Sequence, residues 1–147
     1  MPPAPNYDDP EVEEAWLTER RIEVASYLDK ERVKCGRIGD WPAWHVAPFI
    51  SIWAIESARF PGSVGWWVIC GDLPTDYISA STAKNPRDAL REIIPRWSKL
   101  TEGMARGDLQ GEMTIGDPDS WPALAPLLKS RTQFLAKMAE DDSVWEN

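Results

Sequence analysis

The sequence has 147 residues, with 16 basic and 24 acidic side chains and a formal net charge of −8; this argues against non-specific binding to nucleic acid and permits a basic protein partner. An apolar fraction of 43% argues against a chain disordered throughout, and the length fits one domain with a real core. The cysteines, Cys35 and Cys70, are too few for a secreted disulfide framework and lack metal-ligand spacing, while no apolar run approaches the ~20 residues of a membrane span.

Residues 1–9 are rich in proline and aspartate and read as a disordered tail, with Tyr7 as their one large apolar anchor. No basic n-region or apolar h-region occurs there, so no signal peptide and a cytoplasmic location are expected. From Pro10 onward, 10–147 is expected to form a single domain. Asp9 can cap a first helix, with Pro10 at its first position and Glu11, Glu13 and Glu14 favoured by the helix dipole. Trp16, Leu17, Val24, Ala25 and Leu28 can share an apolar face that Arg20 and Arg21 interrupt. Gly36 predicts the helix end near Cys35.

Gly36, Gly39, Pro42 and Pro48 forbid a long element over 36–48. Phe49–Ala58 and Val64–Cys70 are β-prone runs around Pro61-Gly62, which reads as a hairpin. A short helix over 48–59 competes with the first strand, because apolar residues occur at both strand parities. A third strand is expected over Tyr77–Ala80. Asn85-Pro86 opens a helix in which Ala89, Leu90, Ile93, Ile94, Trp97, Leu100 and Met104 form one buried stripe, with a kink at Pro95. Its basic residues, Lys84, Arg87, Arg91, Lys99 and Arg106, read as a solvated face rather than a nucleic-acid patch. A loop over 107–120 precedes a last helix capped by Asp119 or Ser120, with Pro122 in its first turn and Leu124, Leu127, Leu128, Leu135 and Met138 inward. Trp145 can dock near the end. The order predicts an α+β fold: a small antiparallel sheet, hairpin or three strands, packed against an N-terminal helix and two C-terminal helices.

The run VGWWVICGDLPTDYIS over 64–79, preceded by SIWAIES over 51–57, resembles the signature of an uncharacterised bacterial family catalogued as a domain of unknown function. The resemblance extends from about Trp16 to Trp145. It implies a bacterial origin and a single domain, and it brings no catalytic residue with it.

The chemistry of that run is read from its residues. The chain has nine tryptophans, each with an indole N–H that needs a partner. In a strand, Trp66 and Trp67 lie on opposite faces, so one of them can line a groove and anchor a peptide or stack on a ring. Asp72, Thr75, Asp76 and Tyr77 are read as a turn whose aspartates either bond backbone N–H groups or recognise a ligand. His45, the one histidine, lies near Trp41 and Trp44 and can act as a base. Cys70, His45 and Asp72 supply the residue types of a thiolate, a base and an orienting carboxylate, with Asp76 and Tyr77 as further candidate groups of such a site. No metal and no cofactor is implied. The first functional expectation is a binding protein for a protein or peptide, an immunity protein being one form, using Trp44, His45, Trp66, Trp67, Asp72, Thr75, Asp76 and Tyr77. The alternative is a small enzyme or small-ligand domain with its site between the His45 loop and the Asp72–Tyr77 loop.

Overall fold

The computed structural model describes residues 5–71, 73–106 and 121–145. Along the chain these form α1 (Pro10–Lys30), β1 (Cys35–Ile38), β2 (Trp44–Val46), β3 (Ile50–Ser57), β4 (Val64–Gly71), β5 (Leu73–Ser79), α2 (Pro86–Arg106), α3 (Trp121–Glu140) and α4 (Asp142–Trp145). This is the α+β architecture expected: an N-terminal helix, an antiparallel sheet and two C-terminal helices. The chain divides into two compact units, Met1–Pro86 and Arg87–Asn147. No helix among the described residues is long and apolar enough to cross a membrane.

In the first unit, α1 begins as its sequence dictates. The Asp9 carboxylate accepts the Glu11 N–H at 3.0 Å, and Pro10 occupies the first helical position, where no N–H is needed. Tyr7, the anchor expected in the segment before α1, packs edge-on against Trp16 with ring centroids 6.5 Å apart. Trp16, Leu17, Val24 and Leu28 are buried against Trp53, Ile55, Val68 and Cys70 of the sheet, each buried aliphatic side chain contributing about 1.5–3 kcal/mol. Ala25 is exposed, contrary to expectation. The two arginines that break the apolar face take part in the packing. The Arg20 guanidinium lies over the Trp16 ring at 5.5 Å, and Arg21 donates to the Ile38 and Gly39 carbonyls at 3.0 Å each.

The end of α1 corrects the sequence reading. The helix stops at Lys30, and the left-handed residue beyond its cap is Arg32, at φ 55°. The Val33 N–H reaches back to the Leu28 carbonyl and the Arg32 N–H to the Asp29 carbonyl, the paired bonds of a Schellman termination, with Val33 and Leu28 supplying its apolar contact. Glycine usually fills this position because it alone takes the conformation without cost, so its absence hid the stop. Gly36 belongs instead to β1. There a Cβ would collide with the Glu56 carboxylate, which accepts the Arg37 and Gly62 N–H groups and is thereby held below the usual carboxylate range.

The sheet has five strands, larger than the hairpin or three strands expected. Residues 50–57 are strand, which settles the competition with a helix. β4 pairs along one side of β3, and the short strands β1 and β2 share the other, all antiparallel. β5 pairs with β4 and starts at Leu73, so the third strand is longer than the stretch from Tyr77. It can include Pro74 because β5 lies at the edge of the sheet order, where a missing N–H removes no ladder bond. Gly71, at φ 147°, precedes it. A Cβ there would meet the Phe49 carbonyl oxygen.

In the second unit, Ala89, Leu90, Ile93, Trp97 and Leu100 of α2 are buried as the spacing predicts, and the helix continues through Pro95. In α3, Leu128, Leu135 and Met138 are buried together with Ala125 and Thr132. Leu127 is 50% exposed, because that stripe of threes and fours passes it by about a quarter turn. The loop over 107–120, the Asp119 or Ser120 cap and the side chains of Met104 and Leu124 lie outside the described residues. Arg87 closes the unit: its Nε donates to the Ala139 carbonyl at 2.8 Å, its Nη2 pairs with Asp142 at 2.7 Å, and the guanidinium stands over Trp145. Trp145 docks through its indole N–H on the Met138 carbonyl at 3.0 Å.

Arg32→Gly is expected to stabilise the protein by about 0.5–1 kcal/mol, because relief of the left-handed backbone outweighs glycine's extra unfolded entropy; a lower urea midpoint would contradict this. Arg87→Ala should cost about 1–3 kcal/mol and release Trp145, read as a red shift in its fluorescence and faster proteolysis at the C-terminus.

Candidate functional site

Strand alternation decides which of the expected site residues can act together. Across β3, β4 and β5 the register runs Ser51–Cys70, Trp53–Val68–Tyr77 and Ile55–Trp66–Ser79 on the face that α1 covers. The opposite face carries Ile52–Ile69–Asp76 and Ala54–Trp67–Ile78. Trp66, Cys70, Thr75, Tyr77 and His45 therefore lie on one side, and Trp44, Trp67 and Asp76 on the other. The stretch read as a turn at Thr75–Tyr77 is strand β5, and its side chains part in alternation.

The two neighbouring tryptophans are both used in packing. Trp67 is buried, and its indole N–H donates to the Ala83 carbonyl at 2.8 Å. Trp66 is half-buried and meets Tyr77 edge-on at 5.3 Å, and Tyr77 in turn packs on Tyr27 of α1 at 5.9 Å. Asp76 is fully buried and accepts the N–H of Tyr77 at 2.8 Å. Asp72 lies outside the described residues.

On the α1 side a row of polar groups crosses the apolar core. The buried Ser51 hydroxyl donates to the Cys70 carbonyl at 3.1 Å, receives the Trp53 indole N–H at 2.9 Å and lies 3.3 Å from the Cys70 sulfur. The Cys70 thiol also faces the Arg20 carbonyl at 3.8 Å. Burial pushes this thiol up to about 11, only partly offset by the Ser51 hydroxyl. Beyond it, Thr75 donates to Glu23 at 2.8 Å, and Glu23 lies 3.4 Å from Arg20 Nε. That contact is an ion pair without hydrogen-bond alignment, since Arg20 Nε has no hydrogen-bond partner.

His45 pairs with Ser51 in the β2–β3 register and so sits in the same row as Cys70, with β3 between them. Two strand spacings of about 4.8 Å separate their backbones by roughly 10 Å. The partner of the imidazole is Glu13 of α1, 3.6 Å from Nε2, and Trp41 stands edge-on to it with ring centroids 5.8 Å apart. Cys70 and His45 thus share a face without meeting, and a buried thiol kept protonated lacks the thiolate that nucleophilic attack requires. Among the described residues, no group of three or more His, Cys, Asp or Glu side chains is placed to hold a metal ion.

The match of a family model to residues 11–145 covers both units. The chain belongs to the family described as a domain of unknown function, DUF4826. No curated protein and no solved structure matches it. In this DUF4826 domain one expected site residue, His45, forms a corner with Trp41 and Glu13, and Trp41 is 52% exposed there. Two of these three went unassigned in the sequence. Trp41 stands in the glycine- and proline-rich break, and Glu13 is one acid among several at the start of α1. Ser51, also unassigned, carried a legible signal: a lone hydroxyl inside the apolar run from Phe49 to Ile55.

The Cys70 thiol gives a pH prediction with a definite sign. The unfolded thiol loses its proton near 9.0 and the folded one near 11, so stability present below pH 9 is lost as the pH rises through 11, by at most about 3 kcal/mol. Cys70→Ala should lower stability at neutral pH and flatten this alkaline fall. Equal slopes in urea titrations of the two proteins at pH 8 to 11 would count against the assignment.

Proposed function

We propose that the chain is a binding module that recognises a protein or peptide through the corner formed by Trp41, His45 and Glu13. The observation that carries this reading is the exposure of Trp41. Trp53, Trp67 and Trp97 are buried, and Trp53 and Trp67 have their indole N–H groups bonded inside the fold. Among the tryptophans whose side chains are described, Trp41 alone is mostly exposed, on the connection between the short strands β1 and β2. Its ring is backed by His45, which Glu13 steadies from α1. A flat apolar face on a braced support is the usual character of an interface anchor.

The charge of the chain supports a basic partner, since a net −8 speeds encounter with positive surfaces. Asp8, Asp9, Glu11, Glu13 and Glu14 concentrate part of that charge at the start of α1, where Glu13 reaches the corner. A toxin held by an immunity protein is one form such a pair takes. A bacterial, cytoplasmic setting belongs to the same proposal. The buried, protonated Cys70 speaks against the enzyme alternative.

The test uses immobilised wild-type protein and Trp41→Ala as paired baits in an extract of the source cells, followed by calorimetry with any purified partner. Trp41→Ala should weaken binding by roughly tenfold or more, about 1.4 kcal/mol, with an unchanged melting temperature. Binding of every partner with equal affinity to both proteins would sink this reading.

A further inference from the structure

The C-terminal end of α1 and the start of β1 flank an open surface groove of about 470 Å³, a volume within the range of small-molecule sites. Its lining is apolar at the half-buried Val33 and Ile38, above the core residue Leu28, and two exposed charged residues, Asp29 and Arg32, share it. Neither of these has a side-chain hydrogen bond or an ion pair among the described residues. Arg32 is also the residue held at φ 55°. Glycine would satisfy the backbone there at lower cost, so the position carries a guanidinium against local conformational preference.

We propose that this groove binds a small zwitterion with an apolar side chain, the chemistry of an apolar α-amino acid. The three parts of such a ligand correspond to the three kinds of wall. Its carboxylate suits the planar fork of Arg32, which can engage both oxygens. Its ammonium suits Asp29 and the negative end of the α1 dipole, which would repel a simple anion. Its side chain displaces water from the half-buried Val33 and Ile38. This site is separate in its residues from the Trp41 corner and does not rest on the reading proposed for it.

The experiment records amide chemical shifts of the full chain during titration with L-leucine and with L-phenylalanine. Glycine and 4-methylpentanoate, which lack the apolar side chain and the ammonium respectively, are the controls. Saturable shifts concentrated at residues 25–38 are expected for at least one of the two amino acids, with the controls roughly tenfold weaker or more. Arg32→Gly keeps the left-handed turn, so it should remain folded and lose affinity by a similar factor. Asp29→Asn should reduce the preference for leucine over 4-methylpentanoate. The proposal is overturned if neither amino acid gives saturable shifts at these residues, or if Arg32→Gly binds as the wild type does.

Discussion

The Ser51 hydroxyl holds together the face of the sheet on which α1 lies. It gives its proton to the backbone of β4 and takes one from the indole of Trp53, the largest buried side chain on that face. A buried indole N–H without an acceptor costs about 1–3 kcal/mol, and an apolar side chain at position 51 would leave it so. Trp53 in turn contacts the cluster that includes Trp16, Leu17, Val24 and Leu28. The placement of α1, the burial of Cys70 and the reach of Glu13 to His45 all depend on that cluster. One hydroxyl therefore makes a tryptophan-rich core compatible with a sheet.

Arginine solves a related problem in each unit. The break between β1 and β2 leaves the Ile38 and Gly39 carbonyls to Arg21, which donates to both from α1. At the end of α3, Arg87 donates to the Ala139 carbonyl, one of the terminal carbonyls that a helix cannot satisfy internally. In both cases a guanidinium on a helix caps backbone that regular structure leaves open. Charge-assisted donors of this kind are roughly twice as strong as neutral ones. The basic positions of α2 read as a solvated face are accordingly in part structural, with Arg91 also paired to Glu140.

How much of this was legible follows from the kind of signal each element carries. The α2 stripe repeats over several turns, and the hairpin has long β-prone arms around Pro61-Gly62, so both could be read. β1 and β2 have four and three residues, too few for a period to show, and they lie in a segment that glycine and proline mark as irregular. The end of α1 was misplaced because its left-handed residue is an arginine. At the candidate site, alternation separates Trp66 from Trp67 in the sequence itself. It does not show through Thr75, Asp76 and Tyr77, because Gly71 and Pro74 read as a turn. An edge strand that tolerates proline cannot be recognised before the sheet order is known.

Local choices elsewhere in the first unit agree with the fold: capped helix start, satisfied indoles, apolar strands and a bonded hairpin. Ile22 and Phe60 leave most of an apolar side chain in water, and two further departures stand beside β1. Arg32 accepts a conformation suited to glycine, and Trp41 leaves half of a large apolar side chain in water. They flank β1, four residues long, whose position is fixed from outside by Glu56 over Gly36 and by Arg21 on Ile38. Departures from local preference that persist in an otherwise consistent sequence are most readily explained by function. Bracing by charged side chains fixes the short strand while leaving both of its flanks accessible. Of the groups with acid–base or nucleophilic chemistry, Cys70 and Asp76 are buried in the sheet, while His45 and Glu13 stand together beside the exposed Trp41.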